Sequence, residues 1–486
     1  MRSDAMNLSD FILTLPIITL LVWALLLLVV DLWVPKGRKG IVAALAALGL
    51  AVTMGVTLSQ SGGSGLAFQN MIIVDGFAVY LNVLYLVSGL VVVALSHDYL
   101  KRMNLERGEF YPLMFFSIAG MMLVTQAYNL IMVFLALEFL SIPLYVLAGL
   151  ARERPESEES SLKYFLLGTF SSAFVLYGIA LIFGATATTS LALIIERVGQ
   201  GALNLPLFIA GAALMLVGFA FKLAAVPFHE WAPDVYQGAP TPVSSFMAVA
   251  VKAAGVAVLL RVFLTAFPSL AAEMAPLGWG IAALTMLIGN LLAIAQTNLK
   301  RLLAYSSISH GGYLLMAFVA YGNPQVAGQA VAAMLFYLLA YTLTTFGAWA
   351  VVISVEQNDY QGLELDDYAG LGLKYPWLGV AMLVFMLSLT GIPLTMGFWG
   401  KLFLFRATVD AGYVELALIG LLSSLISAYY YLRVVVMMFM RSGEPRIRRD
   451  GWLSLVAVGS ALAVVGLSLL PNQILQMAAQ AILSLQ

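Results

Sequence analysis

Apolar residues along this chain fall in long unbroken runs, neither alternating with polar ones nor confined to one helical stripe. A helix needs about 20 apolar residues to cross the hydrocarbon core of a bilayer. Fourteen such runs can be read: 11–34, 40–60, 76–97, 110–126, 129–151, 160–184, 206–231, 242–267, 275–297, 302–321, 329–355, 376–408, 414–440 and 452–470. The first is longer than a signal-peptide core, and no small-residue cleavage site follows it, so it is expected to span. A short amphipathic tail, 471–486, follows the last. The expectation is an all-α polytopic membrane protein of about fourteen transmembrane helices.

Composition agrees. Of 486 residues, 62% are hydrophobic and only 10% charged, against about 25% charged in an ordinary globular domain. With no cysteine, iron–sulfur clusters, thiolate zinc sites and disulfides are not expected in this chain. The three histidines, His97, His229 and His310, are too scattered to suggest a metal cage. A net charge of −1 gives no reason to expect nucleic acid. Gly63-Ser64-Gly65 and Gly370-Leu371-Gly372 lack the third glycine and strand context of a dinucleotide fingerprint. No P-loop is present, so no cofactor is expected in this chain.

The loops test the helix count. Numbering the thirteen connections in order, the odd ones hold fifteen basic residues: Lys36, Arg38, Lys39, Lys101, Arg102, Arg107, Arg152, Arg154, Lys300, Arg301, Lys374, Arg441, Arg446, Arg448 and Arg449. The even ones and the termini hold only Arg2, Arg197 and, at a helix edge, Arg261. The positive-inside rule places the odd loops in the cytoplasm and both termini on the outer, periplasmic side. An even number of helices requires both termini on one side, and the two deductions agree.

Six basic residues remain, all within predicted spans: Lys163, Lys222, Lys252, Lys401, Arg406 and Arg433. A charge at mid-bilayer costs about 2.5–3.5 kcal/mol on insertion scales. By helical rise Glu138 lies about 14 Å deep, Lys252 about 15 Å and His310 about 12 Å. Lys222 is nearer the cytoplasmic half, and Lys401 follows a break in helix twelve. Three deep lysines thus face one deep carboxylate and cannot all carry charge at once, as expected of proton carriers. A Glu138–Lys222 pair beside them would act as a switch, its opening changing the field at the next lysine; the same pair could instead be a structural clamp. Lys163 and Arg406, near helix ends, can snorkel to headgroups, and Arg433 can snorkel or pair.

Two spans are interrupted. Pro227 follows Lys222 by five residues, and helix twelve carries Gly391-Ile392-Pro393 before Gly397-Phe398-Trp399-Gly400-Lys401. Proline frees a backbone carbonyl, tolerated at depth only where protein or a wet cavity surrounds it. Discontinuous helices in corresponding halves are a transporter pattern. Residues 231–242 read as a turn-rich connector, and the acidic stretch 356–367 as a solvated loop or docking surface.

The segments Pro227-Phe-His-Glu-Trp-Ala-Pro-Asp-Val-Tyr-Gln-Gly-Ala-Pro-Thr-Pro242 and Gln296-Thr-Asn-Leu-Lys-Arg-Leu-Leu-Ala-Tyr-Ser-Ser-Ile-Ser-His310 resemble the antiporter-like, proton-translocating subunit N family of bacterial NADH:quinone oxidoreductase, respiratory complex I. Val74-Asp-Gly-Phe77, Leu137-Glu-Phe-Leu-Ser-Ile-Pro-Leu144 and Gly397–Lys401 fit it too, so that the likeness runs from about residue 70 to 440. Multisubunit sodium/proton antiporters share the architecture less closely.

The resemblance implies two inverted five-helix repeats, 110–267 (helices four to eight) and 275–441 (helices nine to thirteen), with helices seven and twelve broken. Residues 1–109 would add helices one to three, and 452–486 helix fourteen with its tail. It implies that Glu138 pairs with Lys222, that Lys252 is the central lysine and Lys401 the lysine facing the exit. His229 and His310 would connect them, with Lys163 in support. The expected partners are neighbouring antiporter-like and small membrane subunits, the lipid of a bacterial inner membrane, and protons. NAD, FMN, iron–sulfur clusters and quinone are expected in partner subunits. An alternative is a sodium/proton antiporter subunit uncoupled from electron transfer, disfavoured because Glu138 alone offers a deep carboxylate to a hard cation. A purely structural scaffold is a third reading.

Overall fold

A computed structural model describes residues 8–201, 204–357 and 361–482. Residues 1–7 with Arg2, the middle of the acidic stretch 356–367 and the end of the tail lie outside the described residues.

The apolar helices are α1 Leu15–Asp31, α2 Gly40–Leu58, α3 Gly76–Arg102, α4 Phe110–Gln126, α5 Leu130–Ala148, α6 Pro155–Thr186, α7 Leu205–Lys222 and α8 Thr241–Ala266. They continue as α9 Ala271–Ile294, α10 Leu299–Tyr321, α11 Ala327–Val355, α12 Pro376–Thr390, α13 Met396–Asp410, α14 Val414–Met440 and α15 Gly451–Leu467. Among the described residues ten helices are long and apolar enough to span, or eleven if α15 counts as one span with the tail helix Pro471–Ile482, which bends away by 93°. The shorter α1, α4 and α12 lie on the remaining predicted runs, so the expected fourteen rests on counting helices of 15–17 residues.

Local chemistry sets where these helices begin. A polar residue stands just ahead of several apolar runs and accepts from a first-turn amide. Asp75 takes Ala78 N at 2.8 Å, Asn129 takes Ile131 N at 2.9 Å and Asn298 takes Arg301 N at 3.2 Å. Thr395 caps α13 in the same way, and Asp450 caps α15.

Burial divides the helices into a centre and a rim. Of the most apolar stretch, 94% is buried in α8 and in α10 and 89% in α11, against 39% in α2 and α6 and 33% in α14. The rim helices turn leucines outward at helical spacing, as Leu418, Leu421, Leu422 and Leu425 do on α14. This apolar exterior suits lipid. Around the centre, α9 packs on α10, α6 on α7, α4 on α5, and α11 against α13, α15 and the tail helix.

Four features depart from the sequence expectation. A short antiparallel hairpin, Gly65–Ala67 with Ile72–Val74, precedes α3, and a helix Leu191–Gly199 fills the connection after α6. The connector 231–242 is largely helical, over Trp231–Gly238, because Pro233 sits in the first turn where no amide hydrogen is needed. Arg261 is not an edge residue but wholly buried. Its guanidinium forms two bonds to Asp75, of 2.7 and 2.9 Å, and a third to Thr125 O at 2.8 Å, tying α8 to the cap of α3 and the end of α4.

Candidate functional site

Both expected interruptions are present. The first follows Lys222, the last residue of α7: Ala224 takes a positive φ of 53°, Val226–Pro227 is cis, and helix resumes at Trp231. The second separates α12 from α13, where Gly391 has φ 91° and Leu394 φ 70°. Gly391 allows the left-handed turn that ends α12 at little steric cost.

Lys222 is 5% exposed, and its Nζ donates to Ser141 Oγ at 2.7 Å; Ser141 donates in turn to Leu137 O at 2.5 Å. The rings of Phe221, Tyr145 and Tyr164 lie 5.8, 5.9 and 6.0 Å from the ammonium, a distance at which ring faces attract a cation. Trp231 stacks on Tyr164 at 4.7 Å and closes this cage. Glu138 is near enough to act on Lys222 by charge, but the two form no salt bridge among the described residues, and Glu138 Oε1 is buried without a hydrogen-bond partner. The expected direct pair is open, with Ser141, three residues along α5, holding the lysine.

Lys252 follows a π-helical turn, Met247–Val251, a distortion often found at functional positions. Its Nζ donates to Ser307 O at 2.7 Å and Leu223 O at 3.3 Å. The second carbonyl is the residue after Lys222, exposed to a donor by the break in α7. Gly311 lets α10 approach here, since a Cβ would stand 3.0 Å from Leu223 O and 3.4 Å from Lys252 Nζ.

His310 is the hub. Its Nδ1 shares a hydrogen bond with Tyr337 OH, and its Nε2 one of 3.1 Å with Tyr431 OH, which also bonds Ser306 Oγ. Tyr341 and Tyr313 pack on the ring at 5.1 and 5.7 Å. Both Lys252 and Lys401 act on it through their charge.

Lys401, 4% exposed, donates to Ser424 Oγ at 2.7 Å and to Thr390 O, the end of α12, at 3.0 Å. Its Nζ stands 4.6 Å over the Tyr313 ring. Lys252 and Lys401 thus each bind a carbonyl at a helix break.

The other expected residues lie outside this line. His229 is in the first break, with Nδ1 buried and unpartnered among the described residues. Lys163 is 39% exposed and bonds Glu159 at 2.6 Å and Asp234 at 2.5 Å; Asp234 also bonds Arg301 at 2.6 Å, so one carboxylate links α6 to α10. Arg433 covers the carbonyls Ile294 O and Gln296 O at the end of α9. Arg406, 73% exposed, meets Asp410 at 3.6 Å.

Ser141, Tyr337, Tyr431 and Ser424 were missed in the sequence, since serine and tyrosine in apolar helices carry no signal until the packing is known. Lys300 and Glu356, read as loop residues, are both fully buried. The acidic stretch is not simply solvated: it pairs with the start of α10 through Leu299 N to Leu363 O and Leu365 N to Thr297 O, both within 2.9 Å.

Four buried side chains with exchangeable protons, Lys222, Lys252, His310 and Lys401, are thus each held by carbonyls or hydroxyls, with aromatic rings facing Lys222, His310 and Lys401. Residues 127–427 match the family described as NADH:quinone oxidoreductase/Mrp antiporter, TM. The chain is 44% identical over 476 residues to NADH-quinone oxidoreductase subunit N of Trichlorobacter lovleyi, covering 96% of each. It is 42% identical over 468 residues to subunit N of Chloroflexus aggregans, covering 95% of each. Respiratory complex I from Thermus thermophilus contains a chain of like structure, with TM-score 0.82, 38% identity and coverage of 96% of this chain and 99% of that one. The Mrp complex of Dietzia sp. shares the fold, with TM-score 0.85 at 20% identity over 98% of this chain and 97% of that one. The chain belongs to the family of NADH-quinone oxidoreductase subunit N.

Proposed function

We propose that this protein is a membrane subunit of a proton-pumping NADH:quinone oxidoreductase and that it moves protons along the line Lys222–Lys252–His310–Lys401. The observation that carries the reading is that Lys252 and Lys401, both buried, bind carbonyl and hydroxyl oxygens and form no salt bridge among the described residues. An ammonium held by dipoles can lose its proton without stranding a counter-charge. Glu138 and Lys222, close but apart, supply a variable field at the head of the line. Protons enter from the cytoplasmic side near Lys222 and Lys252, pass His310 with its tyrosines, and leave by Lys401.

In this reading 110–267 and 275–441 are inverted repeats, and the protein resides in a bacterial inner membrane with both termini outside. Donor oxidation and quinone reduction belong to partner subunits, which hold NAD, FMN, iron–sulfur clusters and quinone. The test is Lys252→Ala and Lys401→Ala in assembled complex reconstituted into vesicles, with proton uptake followed by a pH-sensitive dye during NADH oxidation. Both substitutions are expected to abolish most pumping; normal pumping in assembled variants would falsify these roles.

A further inference from the structure

Three central helices carry a second set of buried polar groups that the line above does not use. At one end Glu356, fully buried at the C-terminus of α11, accepts from Tyr99 OH at 3.2 Å through Oε1. Its Oε2 is buried with no hydrogen-bond partner among the described residues. A carboxylate at a helix C-terminus faces the negative end of the dipole, so it needs cations. Arg102 donates to Glu356 O and Ile353 O at 2.6 Å each, and Lys300, bonded to Ala239 O at 2.7 Å, is near enough to act by charge. Tyr99 OH also accepts Thr241 N, the start of α8, at 3.3 Å.

From this cluster a polar seam runs inward. Glu356, just past the end of α11, follows Thr345 by eleven positions, three helical turns of about 16 Å, which returns the two to one face; on α8, Thr241 stands at the start and Lys252 directly after the π-helical turn. Along α8 and α11, Thr241 Oγ1 and Trp349 Nε1 are buried and unpartnered among the described residues, and the buried hydroxyls of Thr345 and Ser307 lie beside Tyr341. Ser307 lies beside Tyr236 and Tyr341, and its carbonyl accepts from Lys252. Buried polar atoms left unpaired cost about 1–3 kcal/mol each, and such atoms are the partners a buried water takes.

We propose that Glu356 is a proton-uptake carboxylate feeding Lys252 along this seam, an entry separate from the one at Lys222. The carboxylate takes a proton from water on the side rich in basic loops and passes it through hydroxyls and water to the neutral Lys252 amine. Glu356 is then ionised again, and one proton has moved. The inference rests on the proposed pumping function, so its test carries a control for that function.

Glu356→Gln, Glu356→Asp and Lys401→Ala are compared as assembled complex in vesicles, reading pumping rate and subunit content. Glu356→Gln is expected to slow pumping about tenfold or more, as removal of a proton-transfer group does, while Glu356→Asp restores most of it. A carboxylic-acid infrared band that appears during turnover and is missing in Glu356→Gln would support uptake and would not arise from a structural carboxylate. Unchanged pumping in Glu356→Gln with lost pumping in Lys401→Ala overturns this inference alone; unchanged pumping in both overturns the function it rests on. If Glu356→Gln lowers subunit content, Thr345→Val decides: slowed pumping supports the seam and a wild-type rate overturns it.

Discussion

At Lys222 a single hydroxyl does what a counter-ion was expected to do. Ser141 accepts from the ammonium at 2.7 Å and donates to its own helix, holding the lysine while Glu138 stays apart. A hydrogen bond to a charged group contributes about 1.5–3 kcal/mol, which is one to two powers of ten in rate if lost at the transition state. Ser141→Ala should therefore slow pumping roughly tenfold or more in assembled complex, and Ser141→Thr should recover it; a wild-type rate in Ser141→Ala would remove Ser141 from the route. Glu138, Lys222, Lys252, His310 and Lys401 were legible in sequence because a charge or imidazole inside an apolar run is costly and conspicuous. Tyr337 and Tyr431 were not, because their part depends on α11 and α14 facing His310. Lys300 and Glu356 were misread for a related reason: they stand at run edges, where only packing distinguishes a solvated charge from a buried one.

Among the elements, the two breaks position the chemistry. The prolines and glycines that make them were visible, but the helical segment Trp231–Gly238 was hidden, since Pro233 in its first turn and Pro240 just beyond its end both read as turn residues. At the second break Gly391 has φ 91°, and a Cβ there would come 2.9 Å from Lys401 Cδ. Gly412 has a similar φ of 94° with nothing within 4 Å of its would-be Cβ. A side chain in left-handed backbone costs about 1–2 kcal/mol. Gly391→Ala and Gly412→Ala should both lower the melting temperature of the complex, but only Gly391→Ala should also slow pumping. Equal pumping in the two variants would mean that the position of Lys401 is insensitive to this turn.

For the whole molecule, the Asp75–Arg261 pair ties the capped start of α3 to the far end of α8, the helix that carries Lys252. Breaking a buried pair by removing one partner typically costs about 3–5 kcal/mol, because the other charge is left unpaired, whereas replacing both with apolar groups costs much less. Asp75→Leu should sharply lower assembled complex and its thermal stability, and Asp75→Leu with Arg261→Leu should restore part of both. If the double variant is as unstable as the single one, the loss lies in the cap of α3 and not in the unpaired guanidinium. Pumping also has a scale at this level: one proton moved against ~150 mV requires about 3.5 kcal/mol. Drawing a carboxylate from about 4 to 8 Å from a lysine changes their interaction by about 2 kcal/mol at an effective dielectric of 20. In the proposed relay a single opening of Glu138 from Lys222 falls short of this, and at least two charge steps along the line would be needed.

The two bonds at each of the inner lysines have a bearing on speed. An ammonium has three hydrogens. Lys252 commits two of them to Leu223 O and Ser307 O, and Lys401 commits two to Thr390 O and Ser424 Oγ. In the proposed relay the third, which at Lys401 faces nothing stronger than the Tyr313 ring, is the one that leaves. When it does, the neutral amine keeps both of its anchors and offers a lone pair along the direction just vacated, already aimed for the next arrival. In the proposed relay, loading and unloading would then require no swing of the side chain, only the approach of the next carrier to a nitrogen that stays in place.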